Sequence, residues 1–288
     1  MRVAVVTDST AYLPAELSHQ LTVVPLTVVM NGTAGREGIE VSPADVAQAL
    51  CERRVAVTTS RPAPEELAGT YRQLLDAGAD GVVSVHLSAK LSGTVEAARL
   101  AAADLDGRVE VVDSRSAGMG LGFPALAAGA AAARGADLAE VRRTAAAAAD
   151  RTTTLFYVDT LEFLRRGGRI TAASALLGTA LAVKPILHVA DGALALRDRV
   201  RTTGRALARL VDLAVQAAGD APVDVAVHHV AAPERATDLL AALVDRLGDQ
   251  ICDRYLAEAG AVVAAHAGPG LACVVVHRRA PSGPTDPR

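Results

Sequence analysis

Aromatic residues are scarce. The 288-residue chain has no tryptophan, three phenylalanines and four tyrosines, which argues against the stacking platform that single-stranded nucleic-acid binders use. Cysteine is sparse too: Cys51, Cys252 and Cys273 stand far apart and form no CxxC pair. This excludes a disulfide framework and a zinc ribbon, and it favours a reducing cytoplasm. No charge sign dominates. Lys+Arg (29) against Asp+Glu (32) leave a net charge of −3 with no block of like charge, so neither a nucleic-acid partner nor an anionic membrane surface is expected. A membrane-grade apolar run is also missing. The longest uncharged stretch, residues 116–133, is mostly Ala and Gly with Pro124 inside. It is too weakly apolar to span a bilayer and reads as a buried helix after a turn, so no integral membrane segment is expected. The opening MRVAVVTDST has no signal-peptide core and reads directly as a strand.

What is present is a packed globular composition, with 51% hydrophobic and 21% charged residues. The length suits about two domains. In the first half, short β-branched runs at 3–7, 21–30, 56–58, 81–87 and 109–113 alternate with alanine-rich helical stretches at 64–77, 94–103 and 123–134. Apolar runs bounded by polar turns, alternating with helices, predict a parallel sheet between helical layers. A further helix over 137–150 closes this unit.

In a parallel sheet, ligands sit beyond the carboxyl ends of the strands. The residues that follow the strands are Thr7-Asp8-Ser9-Thr10, Thr58-Thr59-Ser60, Ser88 to Thr94 (SAKLSGT) and Asp113-Ser114-Arg115-Ser116. Each loop reads singly as a helix N-cap. Four together shift the odds toward a site lined by neutral donors, which suit a carboxylate or phosphate.

The second half changes pattern. Strands are predicted at 154–158, 185–189, 193–200, 223–229, 251–256, 261–265 and 272–277, and helices at 161–168, 203–217 and 233–247. Asp191-Gly192 between two of the strands is a hairpin signal, so this part is a mixed-sheet α/β domain. The fold class is therefore α/β, with an N-terminal three-layer α/β/α domain (1–150), a C-terminal mixed-sheet domain (151–279) and a Pro/Gly-rich disordered tail (280–288).

Familiar catalytic and nucleotide signatures are absent: no GxxxxGK[ST], GxGxxG after the first strand, GxSxG, HExxH or EF-hand loop. The seven histidines form no i,i+4 pair, so no metal site is expected, and the adjacent His228 and His229 must point to opposite faces of a strand. Two segments have dual readings. HAGPG (266–270) is a tight turn, or a turn that holds His266 on a rigid strand end facing an interdomain cleft. LEFLRRGGRI (161–170) places arginines at a helix C-terminus, where they complement the dipole or bind an anion through the guanidinium fork.

Together these segments resemble the DegV family of bacterial fatty-acid-binding proteins, the lipid-carrying subunits of fatty acid kinase. The likeness runs in order through TDST (7–10), TTSRP (58–62), LSGT (91–94), Asp113-Ser114, the stretch 159–170, Lys184-Pro185-Ile186 and HAGPG. It implies a long-chain, palmitate-like fatty acid in a tunnel of the N-terminal domain. Thr59, Ser92 and His266 would hold its carboxylate, in loops that also contain Ser60, Gly93 and Thr94. It also implies Arg166 near the carboxylate as support for phosphoryl transfer, no cofactor and no catalysis by this chain alone. The partner would be a kinase subunit of the dihydroxyacetone-kinase-like type, which forms an acyl phosphate with ATP. Family members often have glutamine at the position of Arg61 and serine at that of Ala63.

The physical chemistry agrees. Sixteen carbons at about 0.8 kcal/mol per CH2 gain on the order of 12 kcal/mol gross, and Ala, Gly and Val walls leave the room. Hydroxyl donors orient a carboxylate while leaving an oxygen free to react. Two alternatives use Ser92 and His266 differently: a hydrolase with a serine nucleophile and histidine base, or a small-carbonyl phosphotransfer enzyme that binds substrate covalently on His266.

Overall fold

The computed structural model describes residues 1–19, 21–52, 56–170 and 183–280. The expected tail beyond Ala280 lies outside the described residues. In chain order the first part contains β1 (Val3–Asp8), α1 (Ala15–Ser18), β2 (Thr22–Val24), β3 (Thr27–Met30), β4 (Thr33–Arg36), α2 (Pro43–Cys51), β5 (Val57–Ser60), α3 (Pro64–Asp76), β6 (Gly81–His86), α4 (Thr94–Ala102), β7 (Val109–Asp113), α5 (Met119–Ala133) and α6 (Leu138–Asp150). The second part contains β8 (Thr152–Tyr157), α7 (Glu162–Arg166), β9 (Lys184–Ala190), β10 (Ala193–Val200), α8 (Thr203–Ala218), β11 (Val223–His229), α9 (Pro233–Leu247), β12 (Ile251–Glu258), α10 (Ala261–Ala267) and β13 (Ala272–Arg278).

The continuous apolar strands form the parallel sheet they predict, in the order β2-β1-β6-β7. Every residue of β6 is buried because both of its faces are covered. Val82 packs with Leu67, Tyr71 and Ala97 of α3 and α4, while Val83 and Val85 pack with Leu121, Ala125 and Val141 of α5 and α6. The result is the three-layer α/β/α arrangement. The second part is a six-stranded mixed sheet, β10-β9-β8-β13-β11-β12, in which only β11 and β12 run parallel. Its outer face lies under α8 and α9. Its inner face, with Phe156, Ala226, Cys273 and Val275, joins the same apolar cluster as α5 and the parallel sheet. Helix α5 is apolar on all sides and packs against both sheets, as a helix without a polar face must. No helix among the described residues is long and apolar enough to cross a membrane.

Three expectations are corrected. The run 21–30 is two strands, because Pro25 cannot donate to a sheet ladder: β2 joins the parallel sheet and β3 leaves it. The stretch 56–58 extends into β5 and pairs with β3 in a separate antiparallel sheet, β4-β3-β5. Thr59 and Ser60 thus sit on a strand, not in a loop beyond the parallel sheet. Residues 261–265 form helix α10, not a strand. Short apolar runs carry no reliable period, alanine favours helix, and the helix start is capped from outside. Glu37 Oε1 accepts from Val262 N at 2.7 Å, and Tyr12 Oη accepts from Val263 N at 3.1 Å. The Asp191-Gly192 hairpin is present, with φ of 48° and 83°, and Asn31-Gly32 makes a second turn of the same kind between β3 and β4 at 50° and 84°.

Candidate functional site

A cavity of about 420 Å³ lies where the two parts of the chain face each other. The resemblance implies a ligand tunnel within residues 1–150, but this cavity takes its wall from both parts. Leu26, Leu87 and Leu91 come from the first, and Phe156, Leu164, Val189, Leu194, Val262, Leu271 and Cys273 from the second. This volume falls in the range of about 300–1,000 Å³ usual for small-molecule sites, which are largely apolar with a few placed polar groups.

The polar groups gather around the end of α10. His266, in its last turn, bonds Thr59 of β5 through Nε2···Oγ1 at 2.8 Å. Its other ring nitrogen, Nδ1, is buried and has no hydrogen-bond partner. Burial, then the nearby Arg169 charge, lowers its pKa to about 4, so the imidazole is neutral at pH 7. Gly167 packs against the ring, where a Cβ would run into Nδ1. A neutral imidazole donating from Nε2 to Thr59 Oγ1 leaves the threonine proton free to turn toward an incoming acceptor. Ser92 contributes a second hydroxyl, 2.9 Å from Thr94 Oγ1 at the start of α4. Arg61 Nη1 donates to Gly93 O at 3.1 Å and lies 3.6 Å from Glu96, with exposed Ser60 beside it. Thr59, Ser60, Ser92, Gly93 and His266 all line the cavity, whereas Thr94 is buried behind Ser92.

Arg166 is not part of this lining. It faces outward and pairs with Glu162 one turn back. Two arginines are on the wall: Arg61, and Arg169, which the sequence reading counted among the arginines of this segment but did not single out. Helix α7 ends at Gly167, and Gly168 adopts φ +71°, folding the chain back so that Arg169 N donates to Leu164 O at 3.0 Å. The guanidinium then reaches Leu91 O at 3.2 Å and Gly167 O. Burial lowers its pKa, and among the described residues it has no carboxylate partner. The Gly-Gly stop was the available signal, because the residue after such a reversal lands on the face the helix leaves open.

The remaining polar residues in the wall are fixed in place. His228 Nε2 accepts from Met119 N at 3.0 Å and its Nδ1 donates to Ala257 O at 3.2 Å. Burial holds its pKa at about 4. Tyr12 meets the His228 ring edge-on at 5.9 Å. As the strand period requires, the adjacent His229 turns the other way, toward Glu258.

The model of the DegV family, described as "Uncharacterised protein, DegV family", matches residues 2–279. The chain belongs to the DegV family. A DegV domain-containing protein of Streptomyces coelicolor is 53% identical over 282 residues, covering 96% of this chain and 99% of that one. Among solved structures, a fatty-acid-binding DegV family protein from Thermus thermophilus is 35% identical, covers 97% of this chain and 100% of its own, and superposes with a TM-score of 0.91. DegV of Bacillus subtilis, a fatty acid binding protein, is 31% identical with the same coverage and a TM-score of 0.87. This DegV chain shares its fold with both proteins.

Proposed function

We propose that this DegV protein binds one long-chain fatty acid, with the alkyl chain in the cavity between the lobes and the carboxylate at its polar end. The observation that carries the reading is Arg169, a half-buried cation with no acid partner among the described residues, on the wall of a largely apolar cavity that Thr59 and Ser92 also line. A charge taken out of water is costly unless it is paired, and Arg169 pairs with a carboxylate. Thr59 and Ser92 donate to it, His266 orients Thr59, and Arg169 supplies the counter-charge from the side. The fatty-acid binding described for the Thermus thermophilus and Bacillus subtilis relatives supports the same ligand class.

The carboxylate is then presented to a separate, cytoplasmic ATP-dependent kinase subunit of the dihydroxyacetone-kinase-like type. A carboxylate oxygen attacks the γ-phosphorus of ATP, the bond to the β-phosphate oxygen breaks, and acyl phosphate and ADP leave. This chain has no phosphate-binding glycine loop for the nucleotide. Exposed Ser60 and Arg61 put the head-group end within reach of a partner. Arg166, outside the cavity, is assigned to the transferring phosphoryl group rather than to the carboxylate.

The hydrolase reading finds less support. Ser92 bonds Thr94, His266 bonds Thr59, and among the described residues no acid orients the imidazole. Solvent extraction and native mass spectrometry of the purified protein should return a bound fatty acid at about one per chain. Arg169→Ala should reduce retention, whereas Arg166→Ala should retain lipid and lose acyl-phosphate turnover with the kinase subunit. An empty protein, or serine labelling by a fluorophosphonate, refutes the carrier.

A further inference from the structure

A second cavity of about 290 Å³ lies behind the first and has the opposite character. Ser114, Arg115, Ser116, Asp150, Thr152 and Asp191 line it. Thr154 and Val189 line both cavities. The partition between them is therefore thin, and its polar element is one hydrogen bond, Ser116 Oγ to Thr154 Oγ1 at 2.9 Å, between two buried hydroxyls.

We propose that the Ser116–Thr154 pair is the stop at the inner end of the apolar cavity and sets the longest acyl chain this protein accepts. The proposal rests on the fatty-acid reading above. Thr154 and Phe156 project from the same face of β8, about 7 Å apart by the strand rise. Phe156, opposite Cys273, lies nearer the strand end adjoining Leu271 and α10. Running from the carboxylate end, an alkyl chain passes Phe156 and then meets Thr154.

The terminal methyl that arrives there meets a closed door of a particular kind. To go further it must separate two hydroxyls that satisfy each other and bring an apolar group into a polar cleft, and both changes are unfavourable. The neighbouring helix is shaped around this contact. Gly120 of α5 faces the pair, and a Cβ there would overlap Ser116 Oγ and lie 2.5 Å from Thr154 Oγ1. Gly120 is the second residue of α5, and here the missing methyl is what leaves room for the hydroxyl pair.

The test loads delipidated protein with an equimolar series of saturated fatty acids from dodecanoic to docosanoic and reads the bound distribution by native mass spectrometry. The wild type should show a sharp upper limit. In Ser116→Ala/Thr154→Ala the limit should move up by at least one member of the series. The acid just above the wild-type limit should gain about tenfold relative to the preferred one, the scale of a lost buried hydroxyl contact. Thr154→Ser, which keeps the bond, should keep the wild-type limit. Ser116→Ala alone carries the test if the double variant does not fold. An unchanged distribution at full occupancy overturns the stop, as does a uniform loss across all lengths, which would mark the pair as structural only. A wild type that takes up no member of the series overturns the fatty-acid reading itself, and the stop with it.

Discussion

His86 and His266 each share a proton with a hydroxyl, and they differ in what surrounds them. His86 lies inside the first lobe. Its Nδ1 is 2.9 Å from Asp8 Oδ2, its Nε2 is 2.7 Å from Ser84 Oγ, and Tyr71 donates to Ser84 at 2.8 Å. Asp8 also accepts from Leu87 N at 3.0 Å and Thr10 N at 3.1 Å. The order carboxylate–imidazole–hydroxyl is that of an acyl-transfer triad, yet all four side chains are buried, and burial pushes the Tyr71 hydroxyl up to about 12. His266 keeps one bond, to Thr59, and leaves Nδ1 unpartnered near Arg169, which has no carboxylate partner among the described residues. A polar chain that is complete and sealed ties β1, β6 and α3 together; the His266–Thr59 pair borders a cavity instead, and the threonine hydroxyl proton stays free to turn toward an acceptor there.

The sharpest break of this contrast is Asp8→Ala. It leaves His86 Nδ1 and two backbone donors buried without an acceptor, so urea unfolding should show a loss of about 3–5 kcal/mol. The folded fraction should still bind lipid. The next effect is acid sensitivity at the open histidine. The His266 pKa is near 4 when folded, against about 6.5 unfolded. Below pH 6.5 the unfolded chain takes up the proton first. Stability is therefore complete above that pH, falls as pH drops toward 4 and levels off below. The loss from this ring is on the order of 2–3 kcal/mol, and His266→Asn should flatten that part of the profile. Third, Thr59→Val should weaken fatty-acid binding about tenfold or more in a titration, the scale of one hydrogen bond to a charged group, with little change in stability. Smallest is Arg166→Ala, which removes an exposed i,i+4 pair. Thermal unfolding should report a change of no more than about 0.5 kcal/mol.

The same contrast separates what the sequence showed from what it did not. Buried parallel strands are legible because both faces are apolar: the runs at 3–7, 81–87 and 109–113 became β1, β6 and β7 within a residue or so. Thr59, Ser92 and His266 were visible as residue types in turn-like settings, and the structure gathers all three around one cavity. Elements held by distant partners were not legible. Nothing near Ala261 announces that Glu37, more than two hundred residues earlier, will cap its helix. The alanine-valine run alone fits strand and helix equally. The choice between Arg166 and Arg169 turned on a single left-handed glycine, a geometry that composition does not reveal. Asp8, His86, Ser84 and Tyr71 were unremarkable as separate letters; only the pairing of β1 with β6 aligns them.

Glu37 has one more implication. It belongs to the first lobe, near the small sheet that bears Thr59, and it accepts from Ser9 while holding the start of α10, the second-lobe helix that bears His266. Either lobe produced alone loses half of the polar lining of the cavity and the clamp that aligns the remainder. A cut at Arg151, where α6 hands over to β8 and the protein looks easiest to divide, would therefore open the cavity.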